Sequence, residues 1–221
     1  MKIGLLLCGD VPESLKAKFD TYSECLIKQL GLSGHQEISI WNANLNELPE
    51  SSKSCDVYIV GGSPASVTDD IPWIFDLVAF IQEAFINNRK LLGICFGHQI
   101  IHYALGGTVE RYDQGWRLGV YSAMVSQTYG SLLEGRSLSL LAMHQDQVLE
   151  VAKGFDVNAG SCYCWNYLTA YKQQVLTVQG HPEFTRSFFE AFLMDGKEKF
   201  GKALTSKAQF SLQGKINNED F

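Results

Sequence analysis

The possible folds of this chain are limited first by the alternation of short apolar runs with longer amphipathic ones through its first half. Residues 3–8 are a short apolar run, after which Leu15, Phe19, Tyr22, Leu26 and Leu30 recur at three- and four-residue spacings, the period of one helix face. Residues 37–41 alternate as a strand does, and 56–60 form a second β-rich run closed by Gly61-Gly62. Asp70 and Pro72 mark a helix start, with Asp69-Asp70 as the expected cap, and residues 73–88 carry an apolar helical face. Residues 90–95 read as a strand and 97–105 as a helix stopped at Gly106-Gly107. Strands separated by helices require parallel pairing through right-handed crossovers. The predicted class is therefore α/β, with a mostly parallel, doubly wound sheet flanked by helices.

From about residue 108 the texture changes. Residues 109–112, 118–125, 139–143, 148–151 and 162–171 are strand-like and broken by Gly, Asn, Asp and Gln. This pattern predicts a small antiparallel section packed onto the parallel sheet. Residues 175–178 are one more buried strand, running into Gly180-His181-Pro182-Glu183, and Phe184, Phe188, Phe189, Phe192 and Leu193 mark a last amphipathic helix. The reading is one domain over residues 1–195 with a polar, loosely held tail at 196–221.

Composition narrows the function classes. Over 221 residues, 46% are hydrophobic and 19% charged, as expected of a soluble globular domain. The net charge is −6 without a Lys/Arg cluster, which argues against nucleic acid as a partner. No apolar run approaches the ~20 residues of a membrane span, and the N-terminal one is too short for a signal-peptide core. The six cysteines are scattered without a Cys-x-x-Cys pair, so reduced thiols in a cytoplasmic enzyme are expected.

The sharpest local signal is Gly93-Ile94-Cys95-Phe96-Gly97-His98-Gln99. A buried strand ends at a cysteine, glycines stand two residues either side, and a helix follows at once. That is a nucleophile elbow, a tight turn that lifts the sulfur above the sheet edge. The helix N-terminus then faces the sulfur and favours the thiolate. A free cysteine is often only a small buried residue, but the other five lack this setting. A cysteine nucleophile needs a base, and the base an orienting group. If residues 90–95 and 175–178 are neighbouring strands, His181 leaves the same sheet edge as Cys95, with Glu183 placed to hold its tautomer. Gly61-Gly62-Ser63-Pro64, read alone, is a turn; a glycine pair there brings bare backbone to a ligand, and an N–H of that pair with that of Phe96 makes a candidate oxyanion hole.

Together the elbow, the Gly-Gly-Ser-Pro turn and the closing His-Pro-Glu resemble the class I (triad) glutamine amidotransferases. The nearest type is the glutaminase domain of GMP synthase and its free-standing relatives, including γ-glutamyl peptidases. The resemblance covers roughly residues 1–195. It implies a γ-glutamyl thioester on Cys95 with His181 and Glu183 completing the triad, oxyanion donors at Gly62 and Phe96, and release of ammonia from glutamine. It also implies substrate contacts from Gln99 and from Met143, His144 and Gln145, in the loop Met143-His144-Gln145-Asp146 that holds the α-amino and α-carboxylate groups largely through backbone. The implied ligand is glutamine or another γ-glutamyl small molecule, and the candidate partner is a separate synthase that accepts the ammonia. No cofactor is implied, and the P-loop pattern G-x-x-x-x-G-K-[ST] does not occur. Gln145-Asp146-Gln147 departs from the Gly-containing loop of synthase-coupled domains. A γ-glutamyl hydrolase working alone, or a binding protein without catalysis, are the alternatives.

Two patterns compete as metal sites. His98-Gln99-Ile100-Ile101-His102 has the His spacing of a zincin helix, but Gln stands where the catalytic Glu would be and no third ligand is evident. Cys162-Tyr163-Cys164, read within one strand, would put two sulfurs on one face, and packing is the simpler account. No metal site is expected.

Overall fold

In the computed structural model, which describes residues 1–34, 37–112 and 115–221, the first half follows the predicted alternation. Strand β1 (Lys2–Leu7) leads to helices α1 (Glu13–Phe19) and α2 (Tyr22–Gln29), then β2 (Glu37–Asn42) and β3 (Val57–Val60). Helix α3 (Pro72–Ile86), β4 (Lys90–Ile94) and α4 (Phe96–Ala104) follow. After them come β5 (Thr108–Arg111), β6 (Arg117–Val125), β7 (Ser137–His144) and β8 (Asp146–Glu150). β9 (Asp156–Ser161), β10 (Cys164–Tyr171), β11 (Val175–Val178) and helices α5 (Arg186–Asp195), α6 (Lys197–Phe200) and α7 (Lys202–Ser211) complete the chain.

The large sheet has the order β2-β1-β3-β4-β11-β10-β9-β6-β7. Strands β2, β1, β3, β4 and β11 pair in parallel, whereas β10, β9, β6 and β7 are antiparallel to their neighbours. The antiparallel strands thus extend the parallel sheet edge to edge instead of packing onto its face. Only β5 and β8 form a separate two-stranded sheet among the described residues. Successive side chains of a strand point to opposite faces, and β1 divides accordingly. Leu5 and Leu7 enter a core with Leu26, Phe188, Phe189 and Leu193, while Leu6 joins Ile74, Leu77, Ile81, Ile100 and Ile101. Both faces are covered, so the parallel strands read as continuous apolar runs.

Several expectations need correction. The apolar face over residues 15–30 is two helices, not one. Asp20 has φ 61°, and Thr21 starts afresh with a capping box to Glu24, so local capping overrides an unbroken hydrophobic period. Helix α3 is preceded by Ile71 without a side-chain cap; Asp69 instead accepts the Ser66 N–H at 2.9 Å. Cys162 and Tyr163 form the turn between β9 and β10, leaving Cys162 exposed and Cys164 buried, so the two sulfurs share no face. Strand β9 carries no apolar run to announce it. The polar tail is largely helical: α7 lies on β6, its Ala208 and Thr205 are buried, and its Ser211 Oγ accepts the Val120 N–H at 2.9 Å.

Candidate active site

The elbow depends on close backbone approach. A Cβ on Gly97 would collide with the Val60 carbonyl, and one on Gly93 with the Gly97 peptide. These contacts let α4 begin directly over β3 and β4. Cys95 takes up the turn with φ 55° and ψ −103°, a region that a non-glycine residue occupies only under constraint. Phe96 is the first residue of α4, a position whose N–H has no intrahelical acceptor.

Strands β4 and β11 are parallel neighbours with Ile94 opposite Val178, so Cys95 and the chain toward His181 leave one sheet edge together. His181 Nδ1 lies 2.7 Å from Glu183 Oε1, which fixes the proton on Nδ1 and turns Nε2 to other work. The ring stacks on Phe184 at 4.1 Å between centroids, and its backbone N–H reaches the Leu141 carbonyl at 2.7 Å. Burial alone would lower the imidazole pKa. The Glu183 charge, then the charge and hydrogen bond of Cys95, outweigh it and raise it to about 10. Cys95, His181 and Glu183 are brought together and buried.

Gly62, Gln99, Met143, His144 and Gln145 line a cleft of about 440 Å³ together with Cys95 and His181. Gln99 donates from Nε2 to the Asp146 carbonyl at 2.8 Å and to Gln179 Oε1 at 3.2 Å. The Met143 carbonyl lies 3.8 Å from Cys95 Sγ. His144 Nδ1 meets the Asp146 carbonyl at 3.1 Å; burial lowers its pKa to about 3, so the ring is neutral with its proton on Nδ1. Gln145 accepts the Tyr112 N–H through its carbonyl at 2.9 Å. Gly62 lies beside the His181 ring, but its N–H donates to the Tyr22 hydroxyl at 2.9 Å.

Sequence reasoning missed Gln179 and Tyr22 and had Asp146 only as the end of the 143–146 loop. Gln179 donates to Cys95 Sγ at 3.6 Å, and nothing in Val178-Gln179-Gly180 marks it. Asp146 anchors Gln99 and His144 through its carbonyl and pairs with Arg111 at 3.2 Å. Tyr22 is hidden in a helical apolar pattern. The zincin-like histidines serve a different purpose. His102 Nδ1 accepts the Ala152 N–H at 3.1 Å, so the neutral ring donates from Nε2 to Thr169 at 2.7 Å. Thr169 and Thr177 are 2.7 Å apart, and Thr177 meets His98 Nδ1 at 2.7 Å. Both rings are engaged by threonines. No group of three metal-ligating side chains occurs among the described residues, nor any helix long and apolar enough to cross a membrane.

A thiol at a strand–helix elbow thus lies beside a histidine–carboxylate pair just past the end of the adjoining strand of a doubly wound sheet. The sequence profile of the glutamine amidotransferase class-I family matches residues 17–197, and the chain belongs to that family. It is 31% identical to gamma-glutamyl peptidase 4 of Arabidopsis thaliana over 92% of this chain and 86% of that one. It is 29% identical to one of the subunits of the glutamine-hydrolyzing GMP synthase of Saccharolobus solfataricus, over 83% and 89% of the two chains. A glutamine amidotransferase from Thermotoga maritima shares the fold, with TM-score 0.71 at 16% identity over 96% of this chain and 92% of that one.

Proposed function

We propose that this protein cleaves a γ-glutamyl amide through a thioester on Cys95. The observation that carries the reading is the convergence of Cys95, at its strained elbow, with the buried His181–Glu183 pair just past the end of the next strand. The thiol proton resides on His181 Nε2 as Sγ attacks the γ-carbonyl carbon. The oxyanion of the tetrahedral intermediate is received by the Phe96 N–H at the start of α4. The Gly62 N–H joins only by exchanging the Tyr22 hydroxyl for the substrate oxygen. The imidazolium then protonates the leaving nitrogen, the C–N bond breaks, and ammonia or an amine departs. Water, deprotonated by His181, hydrolyses the thioester to glutamate and frees the thiol. Residues 143–146 supply the backbone groups for the α-amino and α-carboxylate ends.

With glutamine as substrate, the product is ammonia, available to a synthase of the kind that the Saccharolobus relative's name implies. A second reading, hydrolysis of γ-glutamyl peptides without a partner, draws support from the cleft itself. The cleft extends past the nucleophile to Trp116, Phe188, Phe192 and Phe200, with Lys199 over the Trp116 ring at 4.9 Å. A side-chain amide leaving as ammonia needs no such wall; an amine carrying an apolar residue does. The deciding experiment is steady-state hydrolysis of glutamine and a panel of γ-glutamyl dipeptides, with Cys95→Ala alongside. Loss of at least about 10⁴-fold is expected in Cys95→Ala. Glutamine turnover alone favours the amidotransferase, and dipeptide turnover well above glutamine favours the hydrolase. No Cys95-dependent turnover and no trapped thioester would refute catalysis and leave a binding protein.

A further inference from the structure

Tyr22 is the first residue of α2, held by the capping box of Thr21 and Glu24 and by its own N–H to Asp10 Oδ1 at 3.3 Å. Its ring is buried, and its hydroxyl makes two contacts at once. It donates to Glu183 Oε1 at 2.8 Å and accepts the Gly62 N–H at 2.9 Å. The directions are fixed, because a backbone N–H can only donate and the phenol has a single proton to give. Burial, and next the Glu183 charge, hold the phenol pKa well above its usual value, so that proton stays.

Both donors to Glu183, Tyr22 and His181, meet the same oxygen, Oε1. Among the described residues Oε2 has no hydrogen-bond partner. The terminal torsion of a glutamate is broad, so a carboxylate held by His181 alone would be free to swing with the ring it is meant to orient. On the other side the Tyr22 ring lies flush with the Gly61-Gly62 turn, where a Cβ on Gly61 would come within 2.8 Å of Tyr22 Cε1.

We propose that Tyr22 is a positioning residue whose hydroxyl holds the Glu183 carboxylate while its ring packs on the Gly61-Gly62 turn, keeping the base and the oxyanion loop in one frame. The inference rests on reading Cys95, His181 and Glu183 as the catalytic set. It goes beyond that reading because Tyr22 touches neither the sulfur nor the reacting carbon. Tyr22→Phe removes only the hydroxyl, so kcat for the best γ-glutamyl substrate should fall about 10- to 100-fold, the scale of a small misplacement of reacting groups. KM should change less than about threefold, because no substrate contact is lost. With one competing donor gone, Oε1 binds the imidazolium more tightly. The limb of the pH–rate profile governed by His181 should therefore move to higher pH. Replacement of Tyr22 by a ring-fluorinated tyrosine, which keeps the hydroxyl, should restore kcat.

A readout that needs no turnover is the pH dependence of Cys95 alkylation by iodoacetamide, which reports the coupling of sulfur and imidazole. It should differ between wild type and Tyr22→Phe. Unchanged kcat and an unchanged profile in Tyr22→Phe overturn the proposal, as does a fall in thermal stability alone. A rise in kcat overturns it too, because the hydroxyl would then be restraining Gly62. If the wild type turns over no substrate, the catalytic reading fails while the alkylation profiles still decide the coupling. If Tyr22→Phe does not fold, the fluorinated variant carries the test: its more acidic phenol donates more strongly to Oε1, so the His181 limb should move to lower pH, and an unmoved limb overturns the proposal.

Discussion

The parallel and antiparallel halves of the sheet build the cleft in opposite ways. In the parallel half the site is set by backbone against backbone: Gly97 against Val60, Gly93 against Gly97, and the strained Cys95 between them. In the antiparallel half the loop after β7 is set by side chains and carbonyls brought from afar, Gln99 and His144 on the Asp146 carbonyl and Arg111 on its carboxylate. Cys95 is thus placed by contacts that tolerate no added atom. The loop after β7 is placed by hydrogen bonds that can be exchanged. Under the proposed function, this division lets the chemistry be kept while the specificity changes.

The most severe test of that contrast is Gly97→Ala. Its methyl must displace the Val60 carbonyl, backbone on backbone, and a loss of about 4 kcal/mol or more is expected, read by chemical denaturation. Stability within about 1 kcal/mol of wild type would show that the elbow is not locked by sterics. On the other half, Phe200→Ala removes a buried ring packed edge-on to Trp116 at 5.2 Å. It should cost about 3 kcal/mol and loosen α6 and α7, as measured by hydrogen exchange. An unaffected exchange pattern would mean that the C-terminal helices are held by other contacts.

The buried histidines carry the same contrast into pH dependence. His181 has a folded pKa raised to about 10, so its contribution is full below the unfolded value of about 6.5. That contribution is lost as pH rises through 10. His144 and His102 have folded values lowered by burial to about 3 and about 4. Their contribution is present above about 6.5 and is lost as pH falls toward those values. Unfolding free energy measured against pH should therefore decline on both sides. His181→Asn should flatten the alkaline slope and His144→Asn the acid one; the reverse assignment would contradict the burial and pairing described for each. Least change is expected at Trp165, which is 76% exposed on β10. Trp165→Ser should leave stability within about 0.5 kcal/mol, and a larger shift in the denaturation midpoint would mark that surface as covered.

The parallel half is legible from the order of its residues. Its strands are continuous apolar runs because both faces are covered, and the elbow glycines stand at fixed distances from Cys95 because two backbones meet there. His181 and Glu183 are legible because they closely follow a strand that reads as buried. Local order along the chain is enough for each of these, since each is a strand end, a turn or a helix start. The remaining features depend on partners distant in sequence and take shape only when the chain is packed. Strand β9 lacks an apolar pattern and exists through its pairing with β10 and β6. The polar segment of α7 is ordered by packing on β6. Gln179 and Tyr22 enter the site through hydrogen bonds to residues far along the chain. A hydrogen bond leaves no period in a sequence. An aromatic at helical spacing looks the same whether its hydroxyl is idle or, as in Tyr22, bridges a carboxylate and a backbone N–H.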